Sequence, residues 1–315
     1  MITLKKLFKK IGYLSFFLNI YFSYAQIDPA VIKNDPALDA IVDEAAKVEK
    51  LADGFAFTEG PVWHKDGFLL FTDIPKNAIM KWTPDGKVSK FREPSNNANG
   101  LMYRNGNLIM CEHSGRRLSQ LSPGGEYSVI VDNYQGKKFN SPNDVAIKSD
   151  GSYYFTDPPY GLPEGEDDSA KQISYSGVFR FHKDNLELLD STLVRPNGIA
   201  FSPDEKYLYV TSADKWIRYE VEKDGSIKNA KVFYDASLMD EPGGPDGMKV
   251  DVKGNLFCSG PGGILIFSPK GKHLGTIKFP EIPSNCAFGD PDMKTLYVTA
   301  RTGLYRVKLK TKGVE

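Results

Sequence analysis

Six segments of this chain open in the same way, with a polar residue followed by a short apolar run. The openings read Glu59-Gly60-Pro61-Val62-Trp63, Asn99-Gly100-Leu101-Met102-Tyr103, Asn143-Asp144-Val145-Ala146-Ile147, Asn197-Gly198-Ile199-Ala200-Phe201, Asp246-Gly247-Met248-Lys249-Val250 and Asn285-Cys286-Ala287-Phe288. Successive openings are 40, 44, 54, 49 and 39 residues apart. A period of about 40–50 residues is what one four-stranded propeller blade requires. Each opening begins with a side-chain oxygen. Six such oxygens drawn to one axis suit a hard cation.

Between the openings the sequence alternates β-rich runs with turn dipeptides. Phe68–Thr72, Ser152–Thr156, Tyr207–Thr211 and Thr295–Thr299 are rich in aromatic and β-branched residues. Asp66-Gly67, Asp85-Gly86, Asn105-Gly106, Asp150-Gly151, Asp224-Gly225 and Gly254-Asn255 mark hairpins. The second strands end at Asp73, Glu112, Asp157, Ser212, Ser259 and Ala300, 13 to 15 residues after their openings. Antiparallel pairing returns the end of each second strand to the level of its opening. One face therefore gathers the openings with Asp73, His113, Asp157 to Tyr160, Asp214, Gly260 and Arg301. The expectation is an all-β, six-bladed β-propeller over 48–315 with a central metal site. The last unit has room for three strands, and a strand near Glu49 to Phe57 is expected to supply its fourth.

Residues 1–25 read as a signal peptide. Lys5, Lys6, Lys9 and Lys10 precede a mostly apolar stretch, Ile11 to Phe22, and then Ser23-Tyr24-Ala25. Cleavage near Ala25 implies an exported protein, periplasmic or secreted; an uncleaved N-terminal anchor is the alternative. Residues 26–47 form a lead-in, with Asp35-Pro36 starting a short helix. The whole chain has a net charge of 0, and removing 1–25 takes away four lysines and no acid. A mildly acidic mature chain without a basic cluster argues against nucleic acid as a partner. No later apolar run is long enough to span a membrane. Cys111, Cys258 and Cys286 lie in apolar strand-like runs and read as buried thiols.

Familiar catalytic motifs are missing. There is no Gly-x-Ser-x-Gly elbow, no phosphate-binding glycine loop and no His-Glu-x-x-His. What remains is oxygen chemistry at the openings. Here Thr58–Trp63, Asn140–Val145, Phe155–Gly161, Arg195–Ile199 and Pro245–Met248 resemble, in order, the signature segments of the regucalcin/gluconolactonase family. Cys111-Glu-His-Ser-Gly-Arg-Arg117 resembles its bacterial gluconolactonase branch. The resemblance covers about residues 50–310. It implies a six-bladed propeller, one divalent cation on the axis, usually Ca²⁺ with Zn²⁺, Mg²⁺ or Mn²⁺ as alternatives, and lactone hydrolysis.

Carried over by motif, Glu59, Asn197 and Asp246 match direct metal ligands, and Asn143 matches an Asn that binds metal or substrate. Two carboxylates and two amide oxygens fit a hard dication. Regucalcin-type members have an Arg where this chain has Ser141, so substrate contacts there differ. Asp246 is the candidate general base, and Asn99, His113, Asn143 and Asp157 are candidate substrate contacts. Each also has a structural reading, because Asn and Asp before Gly form turns and His113 and Asp157 suit loop roles. Asn285 is expected to be structural. The function so indicated is a metal-dependent lactonase acting on a small-molecule sugar lactone. The alternatives are another ester, phosphoester or sugar-processing enzyme on the same propeller, or a non-catalytic Ca²⁺-stabilised carbohydrate-binding propeller.

Overall fold

The computed structural model describes residues 30–314, so the expected signal peptide, 1–25, lies outside the described residues. The described residues form six antiparallel blades in chain order. Their innermost strands are Thr58–His64, Ala98–Arg104, Val145–Ile147, Pro196–Phe201, Met248–Val250 and Pro283–Gly289. These strands touch one another in sequence, the sixth also meeting the first, and so enclose the axis. The architecture is the expected six-bladed propeller. Among the described residues no helix is long and apolar enough to cross a membrane.

Ring closure follows the expectation. Glu49–Ala52 pairs antiparallel with Gly303–Lys308 and becomes the outermost strand of blade 6. The Arg306 guanidinium reinforces the seam, donating to Glu49 Oε2 from Nε at 2.9 Å and from Nη2 at 2.8 Å. The lead-in is also built into the ring. Val31–Lys33 adds a fifth strand to blade 5 by pairing with Gly275–Ile277. Its short helix, Pro36–Ala40, is 3₁₀, and the Asp35 side chain caps it by accepting from Ala37 N at 2.8 Å. Leu38, Ile41 and Val42 then bury themselves between blades 5 and 6.

The apolar side chains do not form one central core. They form a cluster in each seam between neighbouring blades. Leu69, Phe71 and Trp82 of blade 1 pack on Tyr297 and Leu304 of blade 6. Tyr154 and Val178 of blade 3 pack on Leu208 and Val210 of blade 4. Trp216 of blade 4 packs on Phe267 of blade 5, with ring centroids 5.3 Å apart. Burying side chains of this size contributes about 1.5–3 kcal/mol each. The three cysteines are buried free thiols, as expected.

Candidate functional site

The openings do not sit in turns. Four lie at the start of the inner strands, where strand pairing slips between Glu59 and Val62, Ala98 and Leu101, Pro196 and Ile199, and Pro283 and Asn285, while Asn143 and Asp246 stand two residues before theirs. Such bulges re-aim side chains. The glycine after the opening residue has a second cause. A Cβ on Gly60 would lie 2.0 Å from Asn99 O, one on Gly198 2.4 Å from Asp246 O, and one on Gly247 2.0 Å from Asn285 Cγ. Each glycine lets its blade press against the opening of the next. Only Gly60 among these three also needs a left-handed backbone, at φ +49°. The glycines therefore serve close approach of blades; the tight turn that Asp-Gly suggests in sequence is absent here.

Hydroxyls tie the same ring together. Thr72 Oγ1 donates to Asn99 O at 3.1 Å, Thr156 Oγ1 to Asn197 O at 2.7 Å and Thr211 Oγ1 to Asp246 O at 2.7 Å. In each case the penultimate residue of a second strand holds the backbone of the next blade's opening. The seam from blade 6 to blade 1 is closed by a side chain, with Asn285 Nδ2 donating to Glu59 Oε2 at 3.0 Å. Glu59 Oε2 also accepts from Gly60 N. Asn285 therefore orients an acid of the site, a structural role with a chemical purpose.

Glu59, Asn99 and Asn143 are buried, while Asn197 and Asp246 are half-buried and keep part of their surface open at the mouth. Burial pushes the Glu59 carboxyl up to about 7, with the Asp144 charge adding to the rise. Asp246 is also raised, by burial and then by Glu59 and Asp144, while an Asn197 hydrogen bond works against the shift. Its open surface tempers the burial, but repulsion from two nearby acids keeps the direction. Among the described residues no three His, Cys, Asp or Glu side chains are grouped to hold a metal by themselves. A cation on the axis would need amide oxygens as well, and the mixed Glu59, Asn143, Asn197 and Asp246 set supplies them. Two repelling carboxylates, Glu59 and Asp246, are the chemistry that a hard cation relieves.

His113 is buried beside this ring, and burial pushes its imidazole down to about 4. It is neutral at pH 7. Asn99 Nδ2 lies 3.2 Å from His113 Nε2, so the ring accepts there and carries its proton on Nδ1. That contact turns Asn99 Oδ1 away from His113 and leaves it without a partner.

The acids that end the second strands are occupied elsewhere. Asp157 is fully buried, with Oδ2 accepting from Asn140 N and Oδ1 from Ser141 N, both at 2.8 Å. Burial pushes its carboxyl up to about 7. Asp157 holds its own loop, the structural reading the sequence also offered. Asp73 likewise accepts from Ala56 N and Phe57 N. Glu112 is saturated by Ser119, Tyr127, Asn96 and Arg117. Ser141, where regucalcin-type members place Arg, is fully buried and clamps the rim by donating to Pro158 O at 2.5 Å and accepting from Gly161 N at 2.8 Å.

Three further residues matter. Asp144 occupies the slot that Gly60, Gly100, Gly198 and Gly247 fill in other units. It is buried on the axis, with Oδ1 accepting from Val145 N at 2.9 Å and Oδ2 unpartnered. Lys249 Nζ lies 4.0 Å from Asp144 Oδ2. Tyr160, on the expected rim, donates from its hydroxyl to Arg195 O at 3.4 Å, and burial and then the charge of Asp246 push its pKa up. A column-by-column reading of the openings singles out Asp144, since it alone puts an acid second.

A sequence profile of the "SMP-30/Gluconolactonase/LRE-like region" matches residues 57–302. A gluconolactonase of Zymomonas mobilis is 41% identical over 314 residues, covering 90% of this chain and 87% of its own length. The pentonolactonase XacC of Haloferax volcanii is 28% identical over 256 residues, covering 78% of this chain and 81% of its own. The solved structure of a gluconolactonase from Xanthomonas campestris superposes with a TM-score of 0.80 at 31% identity, covering 89% of this chain and 94% of that one. With the six blades, the axial ring of oxygens and this extent of similarity, the chain belongs to the SMP-30/gluconolactonase/LRE-like family, on its bacterial gluconolactonase-like side.

Proposed function

We propose that this protein is a lactonase that hydrolyses a sugar lactone such as gluconolactone to the hydroxy acid, and that it depends on a divalent cation, Ca²⁺. The observation that carries the reading is the axial oxygen ring in a chain 41% identical to a gluconolactonase. Glu59, Asn143, Asn197 and Asp246 would hold the cation. When bound, it supplies Lewis-acid stabilisation of the lactone carbonyl oxygen as negative charge develops there.

The remaining chemistry belongs to the chain. Asp246 stands half-open at the mouth and takes a proton from the attacking water as the new C–O bond forms. The ring C–O bond then breaks, and the proton passes to the departing ring oxygen to give the hydroxyl of the product. Asn99 Oδ1, a buried acceptor without a protein partner, takes a hydroxyl hydrogen of the sugar. His113 fixes the Asn99 amide in that orientation. Asn143 orients the lactone beside it. No covalent intermediate is required, in keeping with the missing nucleophile motif.

The test is base uptake in a pH-stat over a panel of aldonolactones and simple esters, with and without chelator. Acid release from sugar lactones that chelation abolishes and Ca²⁺ restores is the expected result. Silence on every lactone defeats the lactonase reading, and activity untouched by chelation defeats the cation. The basic start, apolar stretch and Ser23-Tyr24-Ala25 support export with cleavage after Ala25. Intact mass of protein from its native host should correspond to a chain starting at Gln26; a full-length chain in the membrane fraction would replace export with anchoring.

A further inference from the structure

Below the oxygen ring the axis opens into a chamber of about 650 Å³. Its walls come from the inner strands and start two or three residues after each opening, with Pro61, Val62, Leu101, Ala146, Ile199 and Ala287. At about 3.3 Å per strand residue, that is a layer well under the ring. The mouth of the chamber is formed by the hairpin turns between first and second strands, where His64, Lys65, Glu205 and Asp290 stand. Since those turns lie at the far end of the inner strands, the chamber opens on the face opposite the proposed lactone site.

The deep walls are mostly apolar; His64, Lys65, Ser202, Glu205 and Asp290 stand nearer the mouth, and Lys249 is the charged side chain on an inner strand. Lys249 belongs to the inner strand of blade 5 and lines the chamber with its side chain 21% exposed. Its Nζ donates to Met248 O at 3.0 Å. The Asp144 carboxylate is 4.0 Å away, beyond hydrogen-bond reach, and Asp144 itself is almost wholly covered. An ammonium has three donors. One is used on Met248 O, and Asp144 at 4.0 Å balances the charge without taking a hydrogen bond, so donors remain for a ligand. A volume of this size is in the range of pockets that hold small organic ligands, which pair apolar walls with a few placed polar groups.

We propose that this chamber is a second binding site, for a small amphipathic monoanion whose apolar body fills the walls and whose carboxylate accepts from Lys249 Nζ. Charge-assisted hydrogen bonds of this kind are about twice as strong as neutral ones, so the head group decides selectivity. A cationic head meets Lys249 directly and is repelled. A hydroxyl head keeps the burial but loses the charge. The proposal does not rest on the lactonase reading.

Trp63 lines the chamber, whereas Trp82 and Trp216 are buried in blade seams, so indole fluorescence reports occupancy. The full mature protein is titrated with octanoate, octanol and octylammonium, with calorimetry in parallel. Octanoate should bind about tenfold more tightly than octanol, and octylammonium more weakly than either. Gluconate should not compete. Ala287→Phe fills the chamber from the blade 6 wall and should abolish octanoate binding while hydrolysis, if present, continues. Lys249→Gln should bring octanoate and octanol to within about threefold of each other. Should Lys249→Gln fail to fold, Ala287→Phe and the head-group series carry the test. Absence of octanoate binding, equal binding of octanoate and octanol, or binding undiminished in Ala287→Phe would overturn the proposal.

Discussion

Asn285 Nδ2 donates to Glu59 Oε2 at 3.0 Å across a sequence separation of 226 residues. One hydrogen bond thus joins the last blade to the first at the floor of the proposed metal site. Asn285→Ala removes a donor from a buried acid and should cost about 1–3 kcal/mol of stability by denaturant titration. Glu59→Gln removes one of the two proposed anionic ligands and should weaken Ca²⁺ binding by about an order of magnitude or more in calorimetric titration of the chelated protein. Unchanged affinity would remove Glu59 from the ligand set.

Asp246→Asn keeps the shape and one metal-ligating oxygen but removes the proton acceptor. At saturating Ca²⁺ its kcat on gluconolactone should fall by about 10²–10⁴. A near-normal rate would make Asp246 a ligand only. Glu112 and Asp157 could not then replace it, since the oxygens of both are committed to their own surroundings.

Glycine substitutions separate close approach from turn formation. Gly60→Ala puts a Cβ 2.0 Å from Asn99 O at φ +49° and should cost about 3 kcal/mol or more. Gly67 has φ +84° with nothing within 4 Å of a built Cβ, so Gly67→Ala should cost about 1 kcal/mol, from backbone strain alone. Urea unfolding of both variants measures the difference. Equal losses would show that the blades relax away from each other.

Two buried groups oppose each other in acid. His113 falls to about 4 on folding, below its unfolded value near 6.5, so the unfolded chain takes up the proton first. Its contribution is present above pH 6.5 and is lost as pH falls towards 4, by about 3 kcal/mol at full effect. Asp157 rises to about 7, so its ionisation costs stability as pH climbs from about 4 to 7. His113→Gln should therefore lose less stability than the parent between pH 6.5 and 4. Parallel stability curves would mean that His113 protonates in the folded state.

The blades were legible because their period, hairpin turns and strand chemistry agree with one another. The closing strand near Glu49 was legible from the strand missing in the last unit. The residues carrying the ring were legible by register, but their local cause was not. Asp-Gly and Asn-Gly look like turns in one dimension, whereas the neighbour that demands Gly60 or Gly247 lies some 40 residues away in another blade. Asp157 was open to two readings for a related reason. An acid at a strand end can face the mouth or its own loop, and only the packed side chain decides. Asp144 and Lys249 were hidden because their meeting joins blades 3 and 5 across the axis.

The strand Glu49–Ala52 has its partner at Gly303–Lys308, with Glu49 and Arg306 separated by 257 residues. A strand made before any of the inner strands therefore finds its partner only when the last hairpin is complete. Until the final hairpin exists, blade 6 has an open edge and the axis has no fixed diameter, so neither the oxygen ring nor the chamber can exist in a partly made chain. Long-range closure of this sort slows folding and makes it collective.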